Sequence, residues 1–126
     1  MLAPQILIVD DEPEICRLLS GALEEGGFRV ASAGNADDAL ALLRENKAVE
    51  LLLSDIRMPR VDGYSLAEAG LKLNSDLKIL LMTGHAELPP TSLLQAREIR
   101  TIYKPLDMDH LCELVDRMLS TKWAPR

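Results

Sequence analysis

Four apolar runs of this sequence end in side chains that suit one kind of chemistry, the transfer of a phosphoryl group to a carboxylate. If the runs are neighbouring parallel strands, their C-terminal ends lie at one edge of a sheet. Acidic, hydroxyl and ammonium groups then converge, and the sequence predicts a metal-assisted, phosphoryl-accepting site. The residues are Asp10-Asp11 after residues 6–9, Asp55 after 51–54, Thr83 after 79–82, and Lys104-Pro105 after a fourth run.

The predicted cluster of carboxylates requires a cation. Two carboxylates about 4 Å apart repel each other by roughly 4 kcal/mol at an effective dielectric constant near 20. Three such groups, Asp10, Asp11 and Asp55, are expected at the same edge. We therefore expect a positive ion among them.

The elements that position these residues follow from the hydrophobic pattern. Apolar runs alternate with segments of helical period, which is typical of repeated βαβ units and a parallel sheet. We expect one α/β domain over residues 1–126, with five strands and five helices, a core at about 5–120 and a tail at 121–126. Strands are predicted at residues 6–9, 28–33, 50–54 and 77–82, with a fifth before Lys104. Helices are predicted to begin at Pro13, after Asn35, at Asp62-Gly63, near Pro89-Pro90 and Thr91-Ser92, and after Asp107.

Apolar stripes predict which helix faces are buried. The first helix carries Ile15, Leu18, Leu19, Ala22 and Leu23 at helical spacing. The last helix shows a similar stripe from Met108 to Leu119. The predicted fourth helix offers only Leu93, Leu94 and Ala96, so we expect it to be loosely anchored.

Composition excludes several classes of function. The chain has 126 residues, 48% of them hydrophobic and 27% charged, which fits a single soluble globular domain. Aromatic residues make up only 3%, so platforms for base stacking are not expected. The net charge of −6 repels nucleic acid phosphates. A protein partner or a small phosphodonor is the better expectation.

The two cysteines and the lack of a long apolar run indicate a cytoplasmic protein. No run approaches the roughly 20 residues of a membrane helix, and the N-terminus has no signal-peptide pattern. Cys16 and Cys112 have no neighbours at metal-ligand spacing, so we expect free thiols in a reducing compartment.

The motifs, taken together and in order, identify a resemblance to a known family. The chain resembles a receiver domain of a two-component response regulator, of the stand-alone type, over nearly all of its length. This resemblance implies a doubly wound, flavodoxin-like sheet of order 2-1-3-4-5. The motifs are residues 8–13, Ser54 to Pro59 with Asp62-Gly63, Thr83-Gly84, and Tyr103-Lys104-Pro105.

The resemblance also implies a role for each site residue. Asp55 is the phosphoacceptor, which agrees with the ability of a carboxylate to attack phosphorus and form an acyl phosphate. Asp11 holds a divalent cation directly, Asp10 holds it through water, and the backbone carbonyl of Arg57 supplies another oxygen. Mg²⁺ suits such oxygen ligands best, with Mn²⁺ as an alternative. Thr83 and Lys104 meet oxygens of the transferring phosphoryl group, and the Lys104-Pro105 peptide is expected to be cis.

Other positions are expected to tune the signal. The resemblance implies that Arg57 and His85 flank the phosphoryl group and affect the attack of water on it. His85 is equally compatible with an exposed histidine that has no role. Receivers usually carry an aromatic residue three positions before the lysine, and Thr101 stands there in this chain. Tyr103 points to the same side of the strand as Thr101 and is the candidate to replace that aromatic residue.

The function implied is that of a phosphoacceptor in a two-component phosphorelay, not of an enzyme with its own substrate. A sensor histidine kinase or a histidine phosphotransfer protein donates to Asp55, and the new charge switches a protein-interaction surface for an output partner that the sequence does not identify. A monomer and a phosphorylation-dependent dimer are both compatible with the sequence. Two alternatives remain, a receiver-like adaptor that works without phosphorylation and a flavodoxin-like or hydrolase enzyme. The enzyme alternative is disfavoured, because the carboxylates of Asp10-Asp11-Glu12 would repel a bound phosphate.

Overall fold

The computed structural model describes residues 3–84 and 98–120 of the chain. The predicted fourth helix, His85 and the tail at 121–126 lie outside the described residues. The described elements are β1 (Ile6–Val9), α1 (Pro13–Glu25), β2 (Val30–Ala33), α2 (Ala36–Glu45), β3 (Leu51–Asp55), α3 (Gly63–Leu73), β4 (Lys78–Thr83), β5 (Glu98–Tyr103) and α4 (Met108–Ser120).

The five strands form one parallel sheet in the order β2-β1-β3-β4-β5. This order and the α/β class confirm the predicted fold. β1, β3 and β4 are buried along their whole length, because helices cover both faces of the sheet. Because neighbouring strands are parallel, the C-terminal ends of all five strands lie at the same edge of the sheet.

Two hydrophobic clusters hold the layers together. Alternate residues of each strand point to opposite faces, so Ile6 and Ile8 join one cluster while Leu7 and Val9 join the other. On the first face the sheet packs against α1 and α4, and on the second it packs against α2 and α3. The buried members of the two clusters are aliphatic residues together with Cys16, Met82 and Met118.

Side chains at the predicted positions begin the helices. Asn35 accepts from the backbone N–H of Asp38 at 2.8 Å, and Asp62 accepts from that of Ser65 at 2.8 Å. Asp107 accepts from the backbone N–H of Asp109 at 2.9 Å. Pro13 is the first residue of α1. These observations confirm the four predicted helix starts that fall within the described residues.

Four details of the sequence prediction are wrong. Leu18 was placed in the buried stripe of α1, but it is 55% exposed, because the buried face passes through Cys16, Leu19 and Leu23. β2 begins at Val30 rather than at residue 28. Phe28 instead closes α1, since its backbone N–H donates to the carbonyl of Leu23 at 3.1 Å. β3 and β4 are each displaced by one residue from the predicted ranges.

Within residues 3–84 and 98–120, no helix combines the length and apolar character that crossing a bilayer requires.

Candidate functional site

The strand register brings the predicted site residues together at the C-terminal edge of the sheet. Val9 of β1 pairs with Ser54 of β3, so the residues that follow them, Asp10 and Asp55, lie side by side. β4 ends at Thr83, which pairs with Tyr103 of β5. Lys104 follows directly, and its backbone N–H donates to the Thr83 carbonyl at 2.8 Å.

Three carboxylates form one cluster at this edge. Asp10, Asp11 and Asp55 can each direct a carboxylate oxygen into a group whose members all lie within 4.8 Å of one another. Asp10 is fully buried and Asp55 is 6% exposed, whereas Asp11 is exposed to solvent. The cluster is therefore open to water on one side and enclosed on the other.

Asp10 carries a buried oxygen with no hydrogen-bond partner among the described residues. Its Oδ1 accepts from the backbone N–H of Glu12 at 2.9 Å, while its Oδ2 is enclosed and unpartnered. Burial raises the pKa of the Asp10 carboxyl, and the nearby carboxylates of Asp55 and Asp11 raise it further. Unpartnered buried acceptors are uncommon in proteins. This oxygen is therefore a fitting ligand for a cation.

Asp55 is held at both of its carboxylate oxygens. Oδ2 accepts from the ammonium of Lys104 at 3.2 Å, and Oδ1 accepts from the backbone N–H of Arg57 at 3.3 Å. The side chain of Lys104 is about one-third exposed, whereas that of Asp55 is 8% exposed. The Lys104–Pro105 peptide bond is cis, as the resemblance implies. The Asp55 carboxylate and the positive charge of Lys104 thus lie together at this edge.

Ser54 and Gly63 lie close to the backbone carbonyl of Asp55, and Thr83 is buried at the end of the neighbouring strand β4. Thr83 is 1% exposed, and the Ser54 hydroxyl donates to the Asp55 carbonyl at 2.9 Å. Gly63 approaches even more closely, since a Cβ there would lie 2.9 Å from the Cα of Ile56 and still nearer to the Asp55 carbonyl oxygen. The sequence pattern predicted only a helix start at Asp62-Gly63. The Asp62-Gly63 pair was the available signal, but the close approach depends on how α3 packs beside β3.

The donor set fits a hard divalent cation. All three acidic residues offer carboxylate oxygens, which Mg²⁺ and Mn²⁺ prefer, and no histidine or cysteine belongs to the described cluster. A cation held by the cluster, directly or through a bound water, would give the buried Oδ2 of Asp10 a partner. The acidic cluster is thus consistent with a magnesium site. The participation of the Arg57 carbonyl stays a prediction.

The predicted tuning residues lie around the same edge. Arg57 is exposed, Thr101 is half-buried, and Tyr103 is 51% exposed. Thr101 and Tyr103 occupy alternate positions of β5, on the face where Ile99 contacts the second hydrophobic cluster. Pro105 is exposed. Whether Tyr103 replaces the usual aromatic residue stays a prediction.

One neighbour of the site was not predicted from the sequence. The Cys16 thiol, 8% exposed, donates to the Asp10 carbonyl at 3.4 Å. Burial raises the pKa of this thiol, and the Asp10 carboxylate raises it further. Burial likewise raises the pKa of the Cys112 thiol. Both cysteines are free, as expected.

Comparisons with known proteins give the family. A family profile described as the response regulator receiver domain matches residues 6–116. This chain belongs to the response regulator receiver family. It is therefore a signalling module of two-component systems rather than an enzyme that turns over a small-molecule substrate.

Relatives differ in how much of their length the chain matches. It is 34% identical over 116 residues to the response regulator receiver protein CpdR of Brucella abortus, covering 91% of this chain and 96% of CpdR. It is 36% identical over 116 residues to the transcriptional regulatory protein ZraR of Salmonella typhimurium, covering 91% of this chain but only 26% of ZraR. The chain thus spans about a quarter of the length of that relative.

Solved structures agree with the fold. A receiver domain protein from Methanospirillum hungatei superposes with a TM-score of 0.84 at 33% identity, over 96% of this chain and 97% of that one.

Proposed function

We propose that this receiver accepts a phosphoryl group on Asp55 from a phosphohistidine of a sensor histidine kinase or a histidine phosphotransfer protein. One observation carries the proposal. The Asp55 carboxylate ends β3 with its Oδ2 3.2 Å from the Lys104 ammonium, and the carboxylates of Asp10 and Asp11 lie beside it. An acceptor, a cation-binding group and a positive charge are thus present together.

The residues of the chain supply most of the chemistry. A carboxylate oxygen of Asp55 attacks phosphorus as the bond between phosphorus and the donor imidazole breaks, and an acyl phosphate forms. The imidazole keeps the bonding electron pair and takes a proton from solvent. Lys104 and the Thr83 hydroxyl stabilise the negative charge that spreads over the phosphoryl oxygens.

Asp10, Asp11 and Asp55, with the Arg57 carbonyl, would hold the divalent cation. Bound there, Mg²⁺ or Mn²⁺ supplies the positive charge that offsets both the acidic cluster and the incoming phosphoryl group. The Lys104 ammonium and the backbone N–H of Arg57 keep the proposed acceptor fixed, because each donates to one carboxylate oxygen of Asp55.

Phosphorylation would add a charge of about −1.5 to −2 beside Lys104. That charge shifts the conformational equilibrium of the surface around β5 and α4. An output protein binds this surface in the cytoplasm. Arg57, His85, Thr101, Tyr103 and Pro105 are the proposed tuning positions. The match to nearly all of CpdR supports a stand-alone receiver, with or without a phosphorylation-dependent dimer.

A second candidate is an adaptor that works without phosphorylation. The observation in its favour is that Thr101, half-buried in β5, stands where receivers usually carry an aromatic residue. Such an adaptor would keep its partner contact when Asp55 is replaced by Asn.

The test is the intact mass after incubation with acetyl phosphate. We expect a gain of one phosphoryl group that requires Mg²⁺, is lost in Asp55→Asn and is kept in Asp116→Asn, a matched change at an exposed position of α4. No gain from acetyl phosphate or from a panel of phosphorylated histidine kinases would contradict the proposal and favour the adaptor.

A further inference from the structure

Lys78 is a buried lysine at the edge of the sheet opposite the acidic cluster. It is the first residue of β4, is 6% exposed, and lies in register between Leu51 of β3 and Glu98 of β5. Its ammonium donates to the backbone carbonyl of Met118 in α4, with Nζ 2.5 Å from the oxygen. Burial of an ammonium is costly unless polar partners replace its water. The contact with α4 supplies one such polar partner for Lys78.

The Met118 carbonyl is a receptive partner. Met118 lies in the last turn of α4, which ends at Ser120, and carbonyls in the last turn of a helix commonly accept from side chains or water. Met118 is 1% exposed, so water has little access to this residue. The C-terminus of a helix also carries partial negative charge, which a cation stabilises. The Lys78 ammonium both donates to the Met118 carbonyl and places a positive charge at this end of the helix.

The other end of α4 lies next to the acidic cluster. Asp107 caps the helix by accepting from the backbone N–H groups of Asp109 and His110. The chain reaches Asp107 from Lys104, whose ammonium contacts Asp55. One end of α4 is thus connected to the acceptor, and the other is attached to the start of β4.

We propose that Lys78 clamps the C-terminal turn of α4 to β4. A change of charge at Asp55 then moves the N-terminal turn of the helix while its C-terminal turn stays in place. All six residues of β4 are buried between β3 and β5, so the strand gives the clamp a rigid base. The part of this proposal that concerns movement rests on the proposed phosphorylation of Asp55.

Hydrogen exchange measured by mass spectrometry tests the clamp in the unphosphorylated protein. Lys78→Met keeps an unbranched side chain but removes the ammonium. We expect exchange in the last turn of α4 to rise about tenfold or more, with β1 unchanged. The control is Lys72→Met, which removes an exposed lysine from the last turn of α3 and should leave α4 unchanged. Unchanged exchange in Lys78→Met overturns the clamp.

The same measurement with Mg²⁺ and beryllofluoride tests the movement. In the wild-type protein we expect exchange to change in the first turn of α4 and by less than about twofold in the last turn. In Lys78→Met the change should extend to the last turn. Equal changes at both ends of the wild-type helix overturn the proposal. No change anywhere, with the clamp intact in the first test, counts against the proposed function and against the movement, but leaves the clamp standing.

A measurement on the wild-type protein covers the case in which Lys78→Met does not fold. Nuclear magnetic resonance of the lysine ammonium groups reports their proton exchange with water. We expect the Lys78 ammonium to exchange at least about tenfold more slowly than that of exposed Lys72. Equal rates would show that the ammonium is not held in the buried contact, which overturns the clamp.

Discussion

The ammonium of Lys104 lies 3.2 Å from Oδ2 of Asp55, although 49 residues separate them in the chain. The pair forms because β4 lies between β3 and β5, so the ends of all three strands meet at one edge. Asp55 brings the negative charge of the proposed acceptor, and Lys104 brings the positive charge that faces it. The contact therefore joins the proposed acceptor to the strand that leads into α4.

Replacement of Lys104 by Ala should affect chemistry more than stability. We expect phosphorylation by acetyl phosphate to slow by about 100-fold, because the variant loses a donor to the developing charge on the phosphoryl oxygens. The free energy of unfolding should change by less than about 1 kcal/mol, since the lysine is about one-third exposed and solvent screens the pair. Rates from intact mass over time and chemical denaturation provide the check, with Lys72→Ala as control. A wild-type rate in Lys104→Ala would remove Lys104 from the mechanism.

Replacement of Asp10 by Asn should stabilise the metal-free protein and weaken metal binding. The folded-state pKa of Asp10 is raised above its ordinary 3.8, so its ionised form destabilises the fold. The gain in Asp10→Asn should be complete above the raised pKa and should vanish as the pH falls below 3.8, where both states protonate Asp10. Mg²⁺ affinity should fall by at least about tenfold.

Thermal unfolding of wild type and Asp10→Asn from pH 3.5 to 8, with and without Mg²⁺, measures both effects. A variant that is less stable than wild type at neutral pH without Mg²⁺ would contradict the predicted repulsion.

Gly63→Ala should damage the acceptor strand. The new Cβ would overlap the backbone of Asp55 and Ile56, so we expect a loss of about 1–3 kcal/mol in the free energy of unfolding and slower phosphorylation. Gly21→Ala is the matched control, because its Cβ has nothing within 4 Å and Ala favours the helix by up to about 1 kcal/mol. Chemical denaturation of both variants decides the matter. Equal stability of the two would show that the close approach is absent in solution.

Arg60→Gly should stabilise the protein by about 0.5–1 kcal/mol. Arg60 has a φ of 74°, a left-handed conformation that costs a residue with a Cβ roughly 1–2 kcal/mol, part of which glycine loses again through its more flexible unfolded state. Arg60→Ala is the control, because it removes the exposed ion pair with Asp37 but keeps the Cβ. We expect no gain in Arg60→Ala. Equal midpoints of denaturation for the two variants would contradict this explanation.

The parts of the fold that depend on local pattern were predictable. The strands were visible as apolar runs, and the caps at Asn35, Asp62 and Asp107 were recognisable because each acts on backbone groups within a few residues. The order of the strands followed from the resemblance, since periodicity alone does not give the arrangement of neighbours. The acidic cluster was predictable once that order was assumed.

The remaining features depend on contacts distant in sequence. In the sequence, Lys78 is an ordinary lysine at the start of a predicted strand. It is a buried donor only because α4 packs over it. Leu18 fits the helical period, but the direction from which the sheet approaches α1 leaves it exposed. The contact of Cys16 with the Asp10 carbonyl likewise requires the packing of α1 on β1. Such features follow from the assembled structure.

Chemical mapping of the phosphorylated residue tests the central claim most directly. Borohydride reduces an aspartyl phosphate to homoserine, which marks the acceptor permanently and can be located by peptide mass spectrometry after proteolysis. After treatment with acetyl phosphate and Mg²⁺, we predict homoserine at position 55 and at no other aspartate, with no product in Asp55→Asn. Homoserine at another aspartate, or none anywhere despite a phosphoryl gain in intact mass, would contradict the assignment of Asp55 as the phosphoacceptor.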